Sequence, residues 1–165
     1  DVFQLGMFPG RSIDAVRVCL RIRTAADVMP LLDRLAWQGN SDEVLLALGL
    51  LAPHAQRICL DLDVLGSGIA PRVGIEAYIA RRQPPHEPAW HAVFQGFVDA
   101  GLCAPRKRDA ALAFPGYTID RIFYERVYVR GLEHLKLVAG AGSVEAKLYF
   151  GIFHRPFSAF TPVSA

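Results

Sequence analysis

Residues 57–79 read Arg57-Ile58-Cys59-Leu60-Asp61-Leu62-Asp63-Val64-Leu65-Gly66-Ser67-Gly68-Ile69-Ala70-Pro71-Arg72-Val73-Gly74-Ile75-Glu76-Ala77-Tyr78-Ile79. Apolar residues take every second position on both sides of a glycine-rich break. Ile58, Leu60, Leu62 and Val64 precede it, and Val73, Ile75, Ala77 and Ile79 follow it. Period two is the signature of a strand with one buried face. The segment is therefore a hairpin, with a loose connection from Leu65 to Pro71. Gly66 and Gly68 resemble half of a phosphate-binding loop, but they lie between two strands and read as the turn. Successive strand side chains point to opposite faces. One face is thus apolar, and the other carries Cys59, Asp61, Asp63, Arg72, Glu76 and Tyr78.

The same alternation recurs elsewhere. Val16, Val18, Leu20 and Ile22 alternate with Arg17, Cys19, Arg21 and Arg23, and Val2 to Phe8 is a partner strand beyond Pro9-Gly10. Leu135 and Leu137 alternate with His134, Lys136 and Val138. The small residues 139–143 turn the chain, and Val144, Ala146, Leu148 and Phe150 alternate with Glu145, Lys147 and Tyr149. Ile122 to Val129 is a further strand candidate with no clear place.

Between the hairpins the period changes to 3.6. Val28, Leu31, Leu32, Leu35 and Ala36 form one helical stripe, with Asp27 as N-cap, Pro30 in the first turn and Gly39 as the stop. Asn40 caps a second helix, with Glu43 three residues on, and Pro53 ends it. Trp90, Val93, Phe94, Phe97 and Val98 form a third stripe that Gly101 ends. Pro105 opens a fourth helix that Pro115-Gly116 stops. Trp37 and Trp90 read as core residues.

The order is hairpin, two helices, hairpin, two helices, hairpin, with Trp37-Gln38-Gly39 aligning with Asp99-Ala100-Gly101. One helix between strands returns the chain and yields parallel neighbours, whereas two yield antiparallel ones. The fold class is α+β: an antiparallel sheet built from repeated ββ hairpins joined by helix pairs, helices packed on one face. Residues 1–155 form one domain, and 156–165 a C-terminal tail.

The face away from the helices then carries Arg17, Arg21, Asp61, Asp63, Arg72, Glu76, Tyr78, His134, Lys136, Glu145, Lys147 and Tyr149. Five Arg/Lys face four Asp/Glu, with tyrosines and a histidine. On a flat open sheet this is a solvated face with cross-strand ion pairs. On a curled sheet it lines a groove or barrel. There the basic groups and tyrosine hydroxyls suit a phosphate, carboxylate or peptide, and Glu76 or Asp61 suits a base or hydrogen-bond acceptor.

Repeated αββα units with a polar strand face resemble the ABBA-type aromatic prenyltransferases. Glu145-Ala146-Lys147-Leu148-Tyr149-Phe150 is similar to that family's basic-residue–tyrosine strand pattern. Arg72-Val73-Gly74-Ile75-Glu76-Ala77-Tyr78 is a degenerate copy, with Gly74 or Glu76 in place of a lysine. The resemblance implies a partial or open ABBA-like barrel, about three hairpins against the family's five. It implies Arg72, Lys136, Lys147, Tyr78 and Tyr149 as diphosphate contacts and Glu76 as the catalytic base of prenyl transfer to an aromatic or peptide acceptor. The wider ligand-binding set adds His134, Asp61, Asp63, Arg17 and Arg21. The alternative is a non-catalytic protein- or peptide-interaction domain, or a subunit of a larger assembly.

Composition limits the rest. In 165 residues, 52% are hydrophobic and 21% charged, which excludes wholesale disorder. A net charge of +2 gives no basis for a nucleic-acid or polybasic membrane partner. Cys19, Cys59 and Cys103 form no CxxC, and the five histidines form no HxxxH or HExxH. No metal site is indicated, no cofactor is specified, and free thiols imply the cytoplasm. No apolar run reaches membrane-spanning length. The start, Asp1-Val2-Phe3-Gln4, lacks a basic leader and a Met, and reads as the interior of a longer chain or a processed start. Expected partners are a small anionic or peptide ligand and, to complete the sheet, a second copy or the rest of a longer chain.

Overall fold

The segment 57–79 forms the expected hairpin in a computed structural model of the chain, which describes residues 1–7, 14–79, 88–120 and 126–156. Its strands are β3 (Arg57–Leu65) and β4 (Gly68–Tyr78). Leu65 pairs with Gly68, so the turn is Gly66-Ser67 alone, not a loose connection to Pro71. Gly68, the first residue after the turn, takes φ +131°, a backbone conformation that L side chains rarely adopt. The irregularity falls inside the ladder instead, as a register shift between Leu62 and Val64.

The remaining strands are β1 (Val2–Met7), β2 (Ala15–Ile22), β5 (Gly116–Asp120), β6 (Arg126–Ala139) and β7 (Glu145–Pro156). They make a seven-stranded antiparallel sheet in the order β1-β2-β3-β4-β6-β5, with β7 also paired to β6. The helices are α1 (Val28–Arg34), α2 (Ser41–Leu51), α3 (Pro88–Asp99) and α4 (Pro105–Ala113). The α1–α2 connection joins antiparallel neighbours β2 and β3, as two-helix crossovers require. After α3 and α4 the chain adds β5, which the sequence pattern did not anticipate. β6 rather than β5 is the neighbour of β4. The candidate strand at Ile122–Val129 survives as the start of β6; residues 121–125 and the tail beyond Pro156 lie outside the described residues.

The chain divides into two compact units: Asp1–Ile79 with Leu135–Lys147, and Ala80–His134 with Leu148–Ala165. The first unit buries Val28, Leu32, Val44, Ala47, Leu48 and Leu51 of α1 and α2, together with Ile58, Leu60, Ile75, Leu135 and Leu137 of the sheet. In the second, Trp90, Phe94 and Phe97 of α3 pack in series, with ring centroids 6.0 and 6.2 Å apart, and Val127 and Leu132 of β6 are also buried.

Local signals explain the helix ends. The Asn40 side chain accepts hydrogen bonds from the Asp42 and Glu43 N–H groups, so the cap of α2 is as expected. Asp27 takes the N-cap position of α1, as expected, but its side chain makes no capping hydrogen bond to that helix. It closes a 3₁₀ turn, Ala25–Asp27, and its carboxylate accepts from the Thr24 N–H and hydroxyl at 3.1 and 3.0 Å. Nor does Gly39 stop α1: the left-handed residue is Ala36, at φ +50°. Gly39 is reserved for packing. The buried Trp37 ring lies against Gly39 and Gly140, where a Cβ would overlap the indole and the Pro71 carbonyl, and its N–H donates to the Ala70 carbonyl at 3.1 Å. The Glu43 carboxylate accepts the Gly140 N–H at 2.7 Å, which fastens the start of α2 to the end of β6.

Candidate functional site

Strand register assembles the polar face of the first unit. Directly opposed residues share a face, so Arg17 lies beside Asp63, Cys19 beside Asp61, Cys59 beside Glu76, and Glu76 beside Lys136. Asp61 in turn opposes Gly74. Gly74 leaves a notch in this face, and the Lys136 side chain lies along it. A Cβ on Gly74 would overlap the Lys136 Cε. Through this notch the ammonium crosses β4 and donates to the Asp61 carboxylate on β3, while Glu76 Oε1 accepts from it at 3.4 Å. Lys136 is 6% exposed and Asp61 5%, so this is a buried charge cluster on a sheet face.

The cluster holds one ammonium for two carboxylates. Asp61 Oδ1 is buried with no hydrogen-bond partner among the described residues. The Glu76 carboxyl is pushed above its ordinary value, first by burial and then by the Asp61 charge, against the opposing pull of Lys136. Burial works to lower the Lys136 value, but the hydrogen bond and charge of Asp61 and the charge of Glu76 outweigh it, and the net shift is upward. The ammonium is thus held charged and is no candidate for a neutral nucleophile. The Tyr78 hydroxyl donates to Glu76 Oε2 at 3.3 Å, and its value is pushed up to about 12, by burial and then by the Glu76 charge. The Cys19 thiol is also pushed up to about 12, by burial and by the Asp61 carboxylate beside it. Burial raises the Cys59 thiol as well.

Of the residues singled out by sequence, Asp61, Glu76, Tyr78 and Lys136 come together here. Arg17 and Asp63 form a two-pronged ion pair alongside, both contacts at 2.8 Å. Arg72 donates to Glu145 at 3.0 Å, and Lys147 lies 3.5 Å from the same carboxylate. These three are about half exposed. Arg21 is separate, with its guanidinium 5.9 Å from the Phe3 ring centroid. His134 and Tyr149 belong to the second unit, where their rings stack at 4.2 Å and 11°. Three contributors were absent from the sequence-derived set. Arg57 opposes Tyr78 with its guanidinium 3.7 Å over the ring. Cys19 lines the cluster. Gly74 was visible only as a mid-strand glycine, which marks close approach by another group.

In the second unit a depression between α3 and α4 is lined in part by His91, Gln95, Arg108 and Asp109. Arg108 is already engaged there, donating to Gln95 Oε1 at 2.6 Å and to Asp109 at 2.8 Å. Among the described residues no group of three or more His, Cys, Asp or Glu side chains could hold a metal ion, and no helix is long and apolar enough to cross a membrane. Comparison of the chain with protein-family models, with curated proteins and with solved structures finds no match.

Proposed function

We propose that the polar strand face of the first unit is the ligand site of a small-molecule- or peptide-binding protein. One observation carries this reading: a lysine and a carboxylate are buried, with a second carboxylate part-buried beside them, where an apolar set of equal volume is often at least as stabilising. Buried groups that shift one another's proton affinity concentrate at functional sites. Glu76, with its raised proton affinity and 14% side-chain exposure, is the acceptor or base of this site. Arg72 and Lys147 share Glu145 and leave one net positive charge for an anionic group. Lys136 is committed to Asp61, so a diphosphate would bind through Arg72 and Lys147 rather than through it. Prenyl transfer is the catalytic form of this reading, and it rests on the αββα resemblance.

The test is isothermal titration calorimetry with inorganic diphosphate and with an allyl diphosphate. The reading expects measurable binding that Arg72→Ala and Lys147→Ala each weaken. Absence of heat with either compound at millimolar concentration would remove the anionic ligand and the prenyl-transfer form together. A second reading, a non-catalytic interaction domain, is favoured by Ile152 and Phe153 of β7, which are 67% and 50% exposed. It expects Ile152→Asp to abolish capture of a partner without changing the titration.

A further inference from the structure

β1 has the sequence Val2-Phe3-Gln4-Leu5-Gly6-Met7, with no charged residue and no proline. Among the described strands it pairs only with β2 and ends the strand order. Edge strands of monomeric proteins are normally blunted by lysine, proline or a covering element, because their free N–H and C=O groups recruit another strand. β1 instead presents Leu5 67% exposed and Met7 76% exposed, next to Val2 at 58% and Phe3 at 45%. Leu5 and Met7 pair with Val18 and Val16, so they share one face, and Val16 is itself exposed.

We infer that β1 is the dimerisation strand of this protein and that its partner is β1 of a second copy. The occupant follows from self-complementarity. Antiparallel pairing about Gly6 sets Leu5 of each copy against Met7 of the other, and it brings no like charges together. Such a contact is isologous and closes as a two-fold dimer. The one register irregularity, between Val2 and Gln4, lies outside the paired stretch Leu5–Met7. The exposed parts of Leu5 and Met7, which share a face within the paired stretch, amount to on the order of 300 Å² per copy, within the range of the largest apolar patches on monomers. Two copies bury on the order of 600 Å² from these side chains, and strand pairing with the neighbouring backbone and β2 atoms supplies the remainder of the roughly 1,200 Å² of a specific interface. A net charge of +2 per chain opposes association only weakly. The inference requires neither reading of the ligand face.

Light scattering coupled to size exclusion tests it on the 165-residue chain. The wild type is expected at twice the mass of one chain, and Leu5→Lys and Met7→Lys at the mass of one chain. Leu45→Lys, at an exposed site on α2, is expected to remain dimeric. A monomeric wild type across the micromolar range overturns the proposal, and so does a dimer that persists in both β1 variants. Hydrogen exchange of the Leu5 and Met7 amides gives a check independent of any variant. Their protection should fall on dilution, and concentration-independent exchange also overturns the proposal.

Discussion

Replacing Lys136 by methionine is the most demanding test of the buried cluster. Methionine keeps an unbranched chain over the Gly74 notch and removes only the charge. Asp61, 5% exposed, then loses the ammonium and is left with neither oxygen paired, since Oδ1 already lacks a partner among the described residues. Glu76 loses its contact with the ammonium and keeps the Tyr78 hydroxyl at 3.3 Å. Deleting one member of a buried ion pair costs about 3–5 kcal/mol, because the other charge stays desolvated. At roughly 2–4 °C per kcal/mol for a chain of this size, Lys136→Met should lower Tm by about 6–20 °C. Urea denaturation followed by circular dichroism at pH 7 reads the loss directly. Pairing it with Asp61→Asn sharpens the outcome: the double variant should recover much of the loss, because the most deeply buried carboxylate is no longer stranded and no longer repels Glu76, which gives strong coupling in the double-mutant cycle. A loss below about 1 kcal/mol, the range of exposed ion pairs, would refute burial of the pair, and strictly additive costs would refute the contact itself.

Two further outcomes follow from the same neighbourhood. Burial and Asp61 raise the Glu76 carboxyl, so its contribution to stability is complete below the unfolded value, near the ordinary 4.5, and is lost as pH rises through the folded value. Glu76→Gln, which cannot ionise, should therefore gain stability relative to the wild type as pH rises from about 4 to 8, and a pH-independent difference in denaturation midpoints would contradict this. Cys19 and Cys59 are buried, whereas Cys103 is half-buried. Titration of the native chain with a chromogenic disulfide at mildly alkaline pH should find Cys103 reacting quickly and the other two only on unfolding, and rapid reaction of all three would show that the face is open.

The elements that were legible in sequence are those whose signal is local. The alternation in 57–79, the Asn40 cap, the α3 stripe and the Pro105 start each depend on neighbours within one turn or one strand. β6 was only half legible, because its two halves belong to different units. Val127 and Val129 fall on odd positions, buried Leu132 breaks the alternation, and Leu135, Leu137 and Ala139 return to odd positions. A strand that changes its surroundings partway cannot hold one period. β5 was missed because Pro115-Gly116 reads as a stop, which it is for α4, while the strand begins at that same glycine.

The candidate site shows a different limit. The polar face was readable residue by residue, but its pairing was not, because each ion pair spans distant sequence. Asp61 and Lys136 are 75 positions apart, Arg72 and Glu145 are 73, and Arg17 and Asp63 are 46. Gly74 shows the difficulty: sequence marks a missing side chain, and only the register of β4 against β6 shows that Lys136 fills the gap. The same register explains why the charges nearly cancel on this face. A one-residue slip of β6 along β4 would turn Lys136 toward the apolar face beside Ile75, would turn Leu135 and Leu137 onto the polar face, and would leave Asp61 and Glu76 without an ammonium. Together these consequences cost several kcal/mol, whereas slipping a purely apolar strand costs much less. The Lys136–Asp61–Glu76 cluster therefore fixes the alignment of β3, β4 and β6 besides giving the sheet its charged face. This double role accounts for a burial that packing alone would not favour.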